Sequence, residues 1–120
     1  MEAAPRVLFV GMTGAFSLPP LRALLEAAIP VVGVLVPGGG PPHRVYLPES
    51  AAGLRVLTPL VHDSIVQLGW QRDIPVFEVG SFADLSAVET LQPDIIAVAC
   101  FPRLLPARFR ALARLAAVNL

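Results

Sequence analysis

Asn119 is the single asparagine of this 120-residue chain and its second-to-last residue, closing the apolar run "LAAVNL". A carboxamide at the end of a buried strand looks like the start of a site, since it carries both a donor and an acceptor. The second candidate is "CFPRLLPARF" (100–109), where an apolar strand ends in an aromatic and a proline and returns through a Leu-Leu-Pro turn. Its backbone groups could face a planar ligand. The plainer reading, favoured on the residues alone, is a connection with Phe101 in the core. The third candidate is "GMTGAF" (11–16), whose Gly11 and Gly14 serve either tight strand-to-helix turns or the close approach of a ligand.

Other chemistries find little support. "GMTGAF" is not G-x-G-x-x-G, and the second strand ends in "LVPGGG" without the acidic residue that would hold a ribose, which argues against a dinucleotide site. No C-x-x-C, H-E-x-x-H or G-x-S-x-G occurs. His43 and His62 have no partner at ligand spacing and read as solvated or capping residues, so no metal is expected. Cys100 follows an apolar strand and reads as a small core residue. All nine cations are Arg, which removes P-loop and Schiff-base lysines from consideration.

These residues need a scaffold, and the bulk numbers bound it. The length suits one domain. With 55% hydrophobic and 15% charged residues, and a mean hydropathy of +0.69, the chain should bury much of itself. Nine acids balance nine arginines, so no electrostatic footprint for nucleic acid or anionic membrane is visible. Pro, Gly, Arg or Asp interrupts every apolar stretch before it could span a bilayer. "MEAAPR" lacks the basic start of a secretory signal, and a lone cysteine fits the cytoplasm.

Along the chain, "RVLFVG" (6–11), "PVVGVLVP" (30–37), "PVFEV" (75–79) and "DIIAVAC" (94–100) read as buried strands, and "AVNL" (117–120) begins a fifth. Between them the spacing predicts helices over 16–28, 58–70, 83–91 and 106–116. Ser17 and Thr58 are candidate caps, and Gly69 a stop. Leu18, Leu21, Leu25 and Ala28 share a face of the first helix; Val61, Ile65 and Leu68 share one of the second. Phe109, Leu112 and Leu115 point inward on the last, with its arginines mostly outward. The Gly/Pro-rich span after residue 37 reads as a long surface loop. Alternating elements of this kind predict an α/β, Rossmann-like doubly wound, mostly parallel sheet with helices on both faces. Ligands in such sheets bind outside the carboxyl ends of the strands, where Gly11, Cys100, Phe101 and Asn119 fall.

Taken together, "RVLFVGMTGAFSLPPLRALLEA", "IPVFEVGSFAD", "QPDIIAVACFPRLLP" and "AVNL" resemble, in order and spacing, the N-terminal catalytic domain of folate-dependent formyltransferases, nearest the methionyl-tRNA branch. The resemblance implies transfer of a formyl group from 10-formyltetrahydrofolate, the donor, to a primary amine. By position, Asn119 would hydrogen-bond the formyl oxygen as charge develops on it. Phe101, Pro102, Arg103, Leu104 and Leu105 would hold the folate, partly through main-chain groups, and Gly11, Thr13 and Phe16 would face the acceptor. The family's histidine, two positions after the asparagine, and its aspartate would fall beyond Leu120. Residues 1–120 are therefore expected to be the N-terminal part of one formyltransferase-like domain, ending within the fifth strand and inactive alone. Initiator methionyl-tRNA is the nearest acceptor, with an amino sugar or another amine open. The rival reading is a non-catalytic Rossmann-like module whose uncovered sheet edge meets a partner or a second copy.

Overall fold

A computed structural model of the protein describes residues 4–47 and 64–120. The expected α/β architecture is present. Among the described residues, six strands form one sheet: β1 (Val7–Gly11), β2 (Val31–Pro37), β3 (His43–Val45), β4 (Val76–Val79), β5 (Ile95–Ala99) and β6 (Ala116–Asn119). Their order is β3-β4-β2-β1-β5-β6, and every pairing is parallel except that of β3 with β4. The chain steps outward from β1 through β2 to β4, then crosses back to β5 and β6. Strand order therefore reverses at β1, and the switch point lies between the carboxyl ends of β1 and β5.

Period-two alternation along strands buried on both faces explains the two cores. Val7 and Phe9 point into one core together with Val34, Val36, Val76 and Ala97. Leu8 and Val10 point into the other, with Leu35, Phe77, Val79 and Ile96. Helix α1 (Leu18–Glu26) covers the first face through Leu21 and Leu18, and α2 (Ile65–Gln71) through Ile65. The second face is covered by two single turns, α3 (Ser86–Glu89) through Val88 and α4 (Ala107–Arg110) through Phe109. The fully buried Phe109 ring meets Phe82 edge to face, centroids 5.1 Å apart. That contact fixes so short a helix where backbone propensity alone would not.

Several local expectations change. The span after β2 is not one long loop: residues 43–45 form an antiparallel edge strand on β4. Its return is tight because Gly80 and Ser81 both donate their N–H to the Gly40 carbonyl, at 2.7 and 2.8 Å, and Gly40 takes a φ of 75°. A side chain on Gly80 would meet the Gly38 carbonyl at 2.5 Å, so only glycine admits this clasp. The helix expected over 106–116 closes after one turn. Arg114 and Leu115 instead donate their N–H groups to Pro93 and Asp94 carbonyls and lead into β6, leaving Leu115 exposed.

The helix predicted over 83–91 is likewise one turn. Within the helix predicted over 58–70, residues 58–63, including Thr58, Val61 and His62, lie outside the described residues. Ser64 caps α2 by accepting the Gln67 N–H at 3.1 Å. Gly69 does not stop that helix but lies inside it, packed against Val76. Ala28, expected on the inward face of α1, lies past its end with a φ of 57°.

Asp94 gathers the bottom of the sheet. Its carboxylate accepts the Arg6 N–H at 2.9 Å and the Arg114 Nε–H at 2.8 Å, and its carbonyl accepts from Leu115 and Ala116. The Arg6 backbone bond first, then the Arg114 bond and charge, hold this carboxyl below its ordinary 3.8. A depressed folded-state value contributes stability above the unfolded value, which is lost as pH falls through the folded one. In urea titrations the protein should therefore lose part of its stability below about pH 4. Asp94→Asn should be less stable than wild type at pH 7, with the gap closing as the pH falls. A gap that is constant with pH would remove this role from Asp94.

Candidate functional site

The switch point is built by one hydroxyl. Ser17 Oγ donates to the Ala99 carbonyl at 2.7 Å and accepts the Met12 N–H at 2.9 Å, and the residue has no solvent exposure. Ser17 immediately precedes α1 but makes no side-chain cap bond to it. The expected capping role is thus replaced by a bridge between the ends of β1 and β5. Gly11 leaves room for this bridge, because a Cβ there would lie 2.8 Å from Ser17 Oγ and 3.0 Å from the Ala99 carbonyl oxygen.

Immediately after the bridged carbonyl, Cys100 takes a φ of 59°. For a residue with a Cβ this costs on the order of 1–2 kcal/mol, and it turns the chain sharply out of β5. Cys100 is exposed, not the core residue expected. The chain then runs through residues 101–105. Phe101 and Leu105 lean on the second core, while Leu104 is 96% exposed. Among the described residues, no main-chain bond engages the N–H of Phe101, Arg103, Leu104 or Leu105. The loop thus presents donors that its own backbone does not use.

Beside it lies an open groove of about 530 Å³. Phe101, Arg103, Leu104, Leu105 and Asn119, all candidates from the sequence, line it together with Cys100. Register explains how Asn119 arrives there: β6 pairs with β5 so that Asn119 stands opposite Val98 and Ala117 opposite Ile96. Ala117 and Asn119 therefore share the face that carries Ile96 and Val98, and both reach the groove. The Asn119 residue is exposed. Arg103 and Arg110, and no Asp or Glu, stand among the described lining residues.

The remaining candidates lie elsewhere. Pro102 belongs to the loop but does not line the groove. Gly11, Thr13 and Phe16 occupy the β1 turn, outside the groove lining, with Phe16 85% exposed. Gly11 has a packing reason of its own in the Ser17 bridge. His43 sits on the far edge strand, bonded through Nδ1 to the Pro41 carbonyl at 2.9 Å, with Nε2 3.6 Å from Glu78. No cluster of three metal-ligating side chains occurs among the described residues, and no described helix is long and apolar enough to cross a membrane. Arg110 was not a candidate from the sequence. Its one available signal was its place one helical turn from the loop, from which its Nε donates to the Leu105 carbonyl at 3.2 Å.

No family model matches the chain. Among curated proteins it is similar to methionyl-tRNA formyltransferase of Chlorobium phaeovibrioides, 39% identical over 125 aligned positions that take in the whole chain and 35% of the relative. It is also similar to methionyl-tRNA formyltransferase of Lactiplantibacillus plantarum, 28% identical over 94% of the chain and 32% of the relative. The chain thus spans about a third of the length of the curated relatives it matches.

Removing a buried hydroxyl that satisfies two main-chain groups leaves both unpaired. Ser17→Ala should lower stability by about 1–3 kcal/mol, read as a reduced urea midpoint at unchanged slope. An unchanged midpoint would show that the switch point holds without its bridge.

Proposed function

We propose that the chain, which is similar to methionyl-tRNA formyltransferases along its length, is part of a formyltransferase and supplies the donor-binding half of a formyl transfer from 10-formyltetrahydrofolate to a primary amine in the cytoplasm. One observation carries the reading. The groove brings the Asn119 carboxamide and the 101–105 loop together at the carboxyl ends of β5 and β6. A volume of about 530 Å³ lies within the range of small-molecule sites. The loop's unused N–H donors suit a planar, acceptor-rich ring, and Phe101 and Leu105 give it an apolar floor. The Arg110 side chain favours the anionic end of such a ligand over a cationic one.

In the reaction, the amine nitrogen attacks the formyl carbon and a C–N bond forms. The formyl oxygen takes up the electron pair as a tetrahedral intermediate. The Asn119 side-chain N–H donates to that oxygen, an interaction stronger in the transition state than in the bound donor. Collapse restores the carbonyl and breaks the bond to the folate nitrogen, and the proton lost by the amine ends on that nitrogen. Asn119 accepts no proton in this scheme. The proton-transfer groups the resemblance calls for are not among residues 1–120, so only donor binding and oxyanion stabilisation are assigned here. The exposed β1 turn, with Thr13 and Phe16, is assigned to the acceptor, for which methionyl-tRNA has the support of both named relatives.

The chain itself should bind a reduced folate such as 5-formyltetrahydrofolate saturably by calorimetry. Grafted in place of the segment it matches in the Chlorobium relative, it should support formyl transfer to methionyl-tRNA. Asn119→Ala in that chimera should lower kcat by about 100- to 1000-fold with little change in folate affinity. Full turnover by the variant chimera would end the role assigned to Asn119.

A further inference from the structure

Among the described residues, the 101–105 loop faces the groove without main-chain hydrogen bonds from the N–H of Phe101, Arg103, Leu104 or Leu105, so a side chain must help to hold its shape. Its ends are fixed. Phe101 and Leu105 rest on the second core, and the Leu105 carbonyl is held by Arg110. In the middle, a single side chain reaches away. The Arg103 guanidinium donates to the Gly80 carbonyl at 2.6 Å and stands 5.5 Å from the centroid of the Phe82 ring. Both receivers are themselves held by further contacts. Gly80 is clasped to Gly40 through its own N–H. Phe82 is buried against Phe109, and its carbonyl accepts from Arg108.

From this geometry we propose that Arg103 is a positioning residue: it tethers the middle of the 101–105 loop to the loop after β4 and so sets the spacing of the donors that meet the ligand. This rests on the reading of the groove as a folate site. The Arg103 side chain serves the site through its own loop and not by meeting the ligand's charge. A guanidinium suits this pair of contacts, since it donates to a carbonyl while its central carbon stands over an aromatic ring. A lysine ammonium keeps the charge but supplies no planar fork.

Arg103→Lys and Arg103→Gln separate the two roles. Each variant of the chain is compared with wild type for 5-formyltetrahydrofolate affinity and for backbone 15N order parameters, which read loop motion at amides that carry no hydrogen bond. We expect both substitutions to weaken binding about two- to fivefold, the size of an exposed cation–π contact. Both should lower the order parameters at positions 101 and 103–105 while those of β1 and β2 stay unchanged. Wild-type affinity in Arg103→Lys with a loss in Arg103→Gln would overturn the proposal in favour of direct charge recognition. Unchanged order parameters in both variants would also overturn it. If wild type binds no reduced folate but both variants lower the loop's order parameters, the tether stands and the folate reading alone fails.

Discussion

The sheet turns on one buried hydroxyl. Ser17 bonds to both strands that flank the switch point, accepting at the end of β1 and donating at the end of β5. Each neighbouring feature is a condition of that bridge. Gly11 must lack a side chain because Ser17 Oγ occupies the space where its Cβ would be. The short 3₁₀ turn Ala15–Ser17 must come before α1 to carry the hydroxyl under the strand ends. With the Ala99 carbonyl fixed, the left-handed turn at Cys100 has a firm base from which to throw the chain outward. The groove is downstream of all of these.

A second constraint works from the other side of the sheet. The Gly40 carbonyl receives two N–H groups from the start of the loop after β4, and that loop in turn receives Arg103 and Arg108. Position is therefore handed from β2 to β4 and then to the groove loop, which follows β5, a strand that does not pair with either. Short single-turn helices suffice on this face because Phe82 and Phe109 supply the apolar contact that a longer helix would otherwise provide. Backbone clasps and one aromatic pair do the work of length.

Much of this was legible in the sequence, and the reasons differ by element. Strands buried on both faces, such as "RVLFVG" and "DIIAVAC", announce themselves as continuous apolar runs between breakers. The carboxyl-end rule then places Gly11, Phe101 and Asn119 without further information. What stayed hidden depends on contacts across the chain. Ser17 looked like a cap because caps are local, whereas its partners Met12 and Ala99 lie five and 82 positions away. Cys100 looked like core because its φ of 59° leaves no trace in composition. "PARFRALARLA" kept its helical period past Arg110. Even so, the bonds from Arg114 and Leu115 to the edge of β5 won over propensity.

The placement of Asn119 follows from pairing alone and explains why a carboxamide on an exposed edge strand can still be held in register. β6 bonds to β5 on one side, with Leu120 donating its N–H to the Val98 carbonyl at 2.7 Å beyond the asparagine. Its start is pinned by Asp94, whose carbonyl receives Leu115 and Ala116. A one-residue slip would put Asn119 on the opposite face, away from Val98, Phe101 and the groove. The asparagine is thus aimed by main-chain bonds at both ends of a four-residue strand, and its side chain is left free of the task of holding itself in place.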